Sequence, residues 1–167
     1  LAPFLVAVLL IELTPGPNMG YLAALSASQG RAAGFKAVRG VTIGLAFYML
    51  LAVLGVAEII AAAPAVYAAL RWVGIAYLLY LAWEAWRGAR ETSPGHARDV
   101  DHAPFWRGLI ANVLNPKALV FYVALLPGFI AADHAPFWLQ ALILGSLHLA
   151  ISFVVHSLVV LGAAHAG

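Results

Sequence analysis

Thr14-Pro15-Gly16-Pro17-Asn18 interrupts one apolar stretch near the start of the chain, and Asn115-Pro116-Lys117 interrupts another in the second half. These two breaks decide how the rest is read. Proline lacks a backbone donor and clashes with the preceding turn, so a break inside a lipid-spanning helix frees polar backbone groups that hydrocarbon cannot satisfy. Such breaks persist where they line a cavity. Interrupted segments at matching places in two halves of a membrane protein mark a substrate or ion site between the halves, near the bilayer midplane.

Composition sets the frame around them. Of 167 residues, 64% are hydrophobic and only 10% charged, and the mean hydropathy of +0.94 lies far above that of soluble domains. The chain is read as an all-α integral membrane protein. Its net charge of +2 comes from basic residues placed around the ends of apolar stretches, where they act as topology signals rather than as a nucleic-acid surface. No cysteine is present, which excludes disulfides, thiolate chemistry and cysteine metal sites. The chain enters an apolar run at Leu1 without a basic leader, so this run is taken as a first span that has lost a few leading residues, not as a secretory signal.

A membrane-crossing helix needs about 20 mainly apolar residues. Five such stretches fit here. Span 1 covers about 3–28 and is split by the first break; span 2 follows at 37–62, with 29–36 as the connection. Span 3 covers 65–86, span 4 covers 105–131 with the second break, and span 5 covers 136–164. A charged loop at 87–104 separates spans 3 and 4. Basic residues concentrate in two connections, Arg31, Lys36 and Arg39 in one and Arg87, Arg90, Arg98 and Arg107 in the other. Both then lie in the cytoplasm, which leaves the N-terminus outside. Arg71 falls on the outer side and is expected to snorkel or to face an outer vestibule.

Three spans before the charged loop make the second half enter the bilayer in the opposite sense, the condition for an inverted repeat. An offset of 101 residues lays Phe4 on Phe105, Leu13 on Leu114, Pro15 on Pro116, Tyr21 on Tyr122 and Gly44 on Gly145. The expected architecture is one transmembrane transporter domain over 1–167. It is a polytopic helical bundle with a 3+3 inverted repeat and broken helices 1 and 4, repeat one at about 1–86 and repeat two, incomplete, at 105–167. Five of six spans are present on this reading.

Ionisable residues at membrane depth are costly and usually face a protein interior or a wet cavity. Glu12 lies three residues before Pro15, and Lys117 directly follows Pro116. They are expected to meet. Such a pair either couples proton binding to transport or holds two helices together. Asn18 and Asn115 are placed to cap the half-helices that follow the breaks, and Asn112 lies one turn before the second. His148, Ser152 and His156 lie along one face of span 5. That stripe admits interhelical hydrogen bonding, a proton relay, or metal ligation with Glu12 or Glu58. Gly40 and Gly44 have the GxxxG spacing that lets helices approach closely.

Taken in order, Thr14-Pro15-Gly16-Pro17-Asn18, Gly30-Arg31, Gly34, Gly40, Gly44, the run Gly74-Ile75-Ala76-Tyr77-Leu78-Leu79-Tyr80-Leu81, then Phe105, Gly108, Asn112, Asn115-Pro116-Lys117-Ala118 and Pro127 resemble the LysE/RhtB family of amino acid exporters. The resemblance spans nearly the whole chain. It implies a six-helix carrier of the bacterial inner membrane, not an enzyme, that exports amino acids or close derivatives by alternating access and proton antiport. No cofactor is implied, the partners are an amino acid, protons and the lipid bilayer, and a homo-oligomer is allowed. Family motifs put Pro15, Gly16, Pro17, Asn18, Asn115, Pro116 and Lys117 at the site. Glu12 is outside the family pattern, and its coupling role rests on membrane physics alone. The rival readings are a metal-ion carrier or intramembrane metal site on His148 and His156, and a non-transporting membrane scaffold.

Overall fold

A computed structural model describes residues 1–55, 103–131 and 133–166, with a scatter of positions between 63 and 83. Every element among them is helical. Most of span 3, the charged loop, Glu58 and Arg71 lie outside the described residues.

Helix α1 (Ala2–Leu13) carries Pro3 in its first turn, where no backbone donor is needed. Thr14 closes it in an extended conformation (φ −69°, ψ 119°), as the residue before a proline prefers. Gly16 is also extended, and Pro17 occupies the first turn of α2 (Pro17–Val53). One proline therefore stops a helix and the next starts another. The break is built from covalent chemistry.

A straight helix as long as α2 would measure about 55 Å, nearly twice the thickness of a bilayer core. The chain instead folds back at Gly30, whose φ of 80° and ψ of 178° are open only to glycine. Gly34 faces the Ser26 hydroxyl so closely that a β-carbon there would collide with it. Residues eight apart on a straight helix never meet. Leu22, Leu25, Ala37 and Val38 accordingly share one buried cluster across the two arms. The connection expected at 29–36 thus shrinks to a single residue, because one glycine in this conformation reverses the chain and lets helix run up to it on both sides.

Helix α3 (Ala103–Val113) and helix α4 (Pro116–Val120) flank the second break, where Asn115 Oδ1 accepts from the Lys117 backbone N–H at 3.0 Å. The span bends by 46° here. Beyond α4 the chain passes through a π-helical turn (Phe121–Leu125) and a 3₁₀ turn (Leu126–Phe129), so this half is less regular than a plain half-helix. The Gln140 side chain holds the next reversal through Ala131 N, Ala131 O and Ala135 O. Helix α5 (Phe137–Ala166) then runs long enough to cross a bilayer.

The burial pattern is that of a protein dissolved in lipid. Leu10, Leu13, Leu50, Phe153 and Leu158 face outward, while Glu12, Asn18, Asn112, His148 and His156 are buried. Phe4, Val8, Leu45, Tyr48, Phe121, Tyr122 and Leu144 form the core that joins α1, α2, the π turn and α5. Helices α2 and α3 cross almost backbone to backbone. A β-carbon on Gly40 would strike the Phe105 carbonyl and the Leu109 amide, and one on Gly108 would strike the Ala37 carbonyl. Gly40→Ala should therefore force these helices apart and lower stability by about 1–3 kcal/mol. Thermal unfolding in detergent reads the loss, with Gly20→Ala, whose β-carbon meets nothing, as the comparison that loses no stability.

Candidate functional site

The core packing brings the two breaks into contact. Lys117 Nζ donates to the Thr14 carbonyl at 3.0 Å, and its chain lies against Gly16. That carbonyl is at the C-terminal end of α1, where the helix dipole is negative and no amide follows to accept from. The cation gives a donor to a carbonyl that the break leaves outside both helices.

The second break is closed similarly. The Val113 carbonyl would pair with the Lys117 amide in an unbroken helix, but Asn115 takes that amide. The Tyr48 hydroxyl, arriving from α2, donates to Val113 O at 2.5 Å instead. Each break is thus completed by a polar side chain from another segment.

Glu12 does not pair with Lys117 as expected. Its carboxylate turns to α5, where Oε1 lies 3.0 Å from His148 Nε2 and Oε2 lies 3.9 Å from His156 Nε2. The reason is that Lys117 is drawn to the exposed helix end at Thr14, while the histidine stripe faces α1. The chain continues outward on both sides, from His148 Nδ1 to the Tyr122 hydroxyl at 3.1 Å and from His156 Nδ1 to the Ser152 hydroxyl at 3.2 Å. The Phe121 ring lies on His148 with centroids 3.7 Å apart. Glu12 is 5% exposed, His148 1% and His156 6%, so this network is sealed from solvent.

Asn18 also departs from expectation. Gly16 precedes the first turn of α2 and no side chain caps it; Asn18 Nδ2 donates across to Asn112 Oδ1 at 2.8 Å. Asn112 is accommodated because Gly44 has no side chain to occupy its place. The pair leaves Asn18 Oδ1 and Asn112 Nδ2, one acceptor and one donor, buried without a protein partner. Unmatched buried groups are rare and need a reason.

Glu12, Gly16, Asn18, Asn112, Asn115, Lys117, His148, Ser152 and His156 line one small cavity, with Ile11, Met19, Leu45, Ala118 and Phe121 as its apolar wall. Its free volume of about 20 Å³ holds a water molecule and no amino acid. Pro15, Pro17 and Pro116 shape the cavity through the backbone. Tyr48 and Tyr122 are the participants that sequence reasoning missed. Tyr122 appeared there only as an aligned landmark, although a phenol inside an apolar span needs a hydrogen-bond partner.

Helices of membrane-crossing length, with two broken spans meeting at a polar cavity, fit a multi-pass membrane protein. Sequence comparison agrees. The LysE type translocator profile matches residues 9–166, and the chain belongs to this family of transporters rather than enzymes. A leucine efflux protein of Salmonella typhimurium is 39% identical over 131 residues, which are 76% of this chain and 61% of that protein. An uncharacterized membrane protein of Pseudomonas aeruginosa is 37% identical over 139 residues, covering 79% of this chain and 64% of its own. One of Vibrio cholerae is 31% identical over 156 residues, 91% and 75% respectively. The chain thus spans under two thirds of the first two relatives. No solved structure matches it.

Proposed function

We propose that the protein exports neutral, apolar amino acids such as leucine from the bacterial cytoplasm across the inner membrane, by alternating access and in exchange for protons. The observation that carries this reading is the Lys117 ammonium resting on the Thr14 carbonyl in a cavity with one unmatched donor and one unmatched acceptor. A zwitterion carries the charges to meet them once the cavity opens beyond the about 20 Å³ free in this state. Its carboxylate replaces the Thr14 carbonyl on Lys117, and its ammonium takes that carbonyl together with Asn18 Oδ1. Glu12 supplies the negative field rather than direct contact, since its oxygens already face two histidines. The apolar wall receives an uncharged side chain, and the leucine efflux relative supports the same class.

With too little space for a substrate in this state, binding requires the helices around the cavity to move, which alternating access supplies. The inverted repeat draws support from the two breaks, each completed by a side chain from another segment. The orientation draws support from Arg31, Lys36 and Arg39, which flank one reversal beside Gly30. Metal carriage finds no support, because among the described residues no three histidine or carboxylate groups are placed to hold an ion.

The decisive experiment is flux. Purified protein in liposomes preloaded with leucine should exchange it for labelled leucine outside, and an imposed pH gradient should drive net movement. Absence of flux for every neutral amino acid refutes export and favours the scaffold reading.

A further inference from the structure

The buried network of Tyr122, His148, Glu12, His156 and Ser152 constrains where a transported proton can reside. An ionised carboxylate only accepts hydrogen bonds. With Glu12 ionised, both histidines carry their proton on Nε2, facing its two oxygens. Each Nδ1 is then an acceptor, and the Tyr122 and Ser152 hydroxyls donate to them. One assignment fits all four approaches with both rings neutral.

Adding one proton separates the candidates. A proton on His148 Nδ1 turns the Tyr122 O–H away from its one hydrogen-bond partner, and that phenol is completely buried. A buried donor is stranded. A proton on Glu12 Oε2 has no acceptor within hydrogen-bond distance, since His156 Nε2 lies 3.9 Å away. A proton on His156 Nδ1 meets a hydroxyl that can reverse, because Ser152 sits mid-helix and can accept from the ring while donating to the carbonyl one turn back. Ser26, Ser28, Thr42 and Thr14 all donate to that carbonyl in this protein. Only at His156 is every hydrogen bond retained.

We infer that His156, with the Ser152 hydroxyl as its reversible partner, takes up the transported proton, while Glu12 stays ionised and orients both histidines. The assignment rests on the proton-antiport reading above. The charged or titratable groups facing His156 are Glu12 from α1, Lys117 from α4 and His148 from its own helix, while α2 presents Asn18, Met19 and Leu45 to the cavity. Protonation puts a full charge opposite Glu12 Oε2 and draws the 3.9 Å gap toward a hydrogen bond, pulling α5 onto α1. Glu12 is the only anion among the described residues lining the cavity. A charged His156 and a substrate ammonium therefore compete for it, so proton and amino acid exclude each other.

The test uses His156→Gln, which keeps a donor toward Glu12 and cannot be protonated, in liposomes with labelled leucine as the probe. Its leucine flux, taken relative to the flux at equal pH on both sides, should no longer respond to an imposed pH gradient. Ser152→Ala removes the acceptor that stabilises the protonated ring, so the midpoint of gradient-driven transport should move to lower pH by about one unit. Ser152→Thr should restore it. The assignment is overturned if His156→Gln still responds to the gradient, or if Ser152→Ala leaves the midpoint in place; the serine pair decides should the glutamine variant fail to fold. Wild-type protein that exchanges no amino acid overturns the export reading and this assignment together, whereas exchange with either of the other failures overturns this assignment alone.

Discussion

Lys117→Ala is expected to abolish export while leaving the protein inserted in the membrane. The substitution removes the cation that closes the first break and the group that would receive a substrate carboxylate. Losing one charge-assisted hydrogen bond to the substrate carboxylate costs about 1.5–3 kcal/mol, so the loss of substrate affinity should reach about tenfold or more. Lys117→Arg is not an equivalent replacement. A guanidinium is longer and planar, and it has to fit the narrow space beside Gly16. Leucine flux at rising concentration, together with the amount of inserted protein, measures both effects. Wild-type rates in Lys117→Ala would refute the role given to it.

Glu12→Gln should have the second largest effect and should act on stability as well as transport. An amide has one oxygen, and its nitrogen would point a donor at a histidine N–H that now faces a carboxylate oxygen. Losing the charge-assisted bond to His148 costs about 1.5–3 kcal/mol. Lys117 and any protonated histidine would also lose the anion they share. The expected result is a clear fall in the unfolding temperature in detergent with export at background. A variant of normal stability and normal gradient-driven flux would show that the carboxylate is dispensable.

Much of this was legible before any coordinates. Pro15, Pro17 and Pro116 fix the breaks by covalent geometry, and apolar length fixes α5, so these needed no tertiary information. Asn115 caps the helix after it because a cap depends on neighbours in sequence. What escaped was lateral. Glu12 chooses between Lys117 and two histidines according to how α1 is rotated against α5, and periodicity gives the polar face of one helix without giving its partner. Asn18 had a local role available and took a distant one, because Gly44 opens space for Asn112. Gly30 was visible as a residue of a family motif, yet only its dihedral angles show that it replaces an entire connection. Tyr48 pairs with a carbonyl that becomes available only once Asn115 has claimed the amide four residues on. Such second-order dependences are invisible in one dimension.

The reversal at Gly30 also bears on how the chain reaches the bilayer. Its arms touch through residues as near in sequence as Ser26 and Gly34, so almost no chain entropy opposes their pairing. Local contacts of this kind form fast. The two arms can zip together as they leave the ribosome and enter lipid as one preassembled hairpin. An insertion between them would act on the biogenesis of the protein before it acted on its transport.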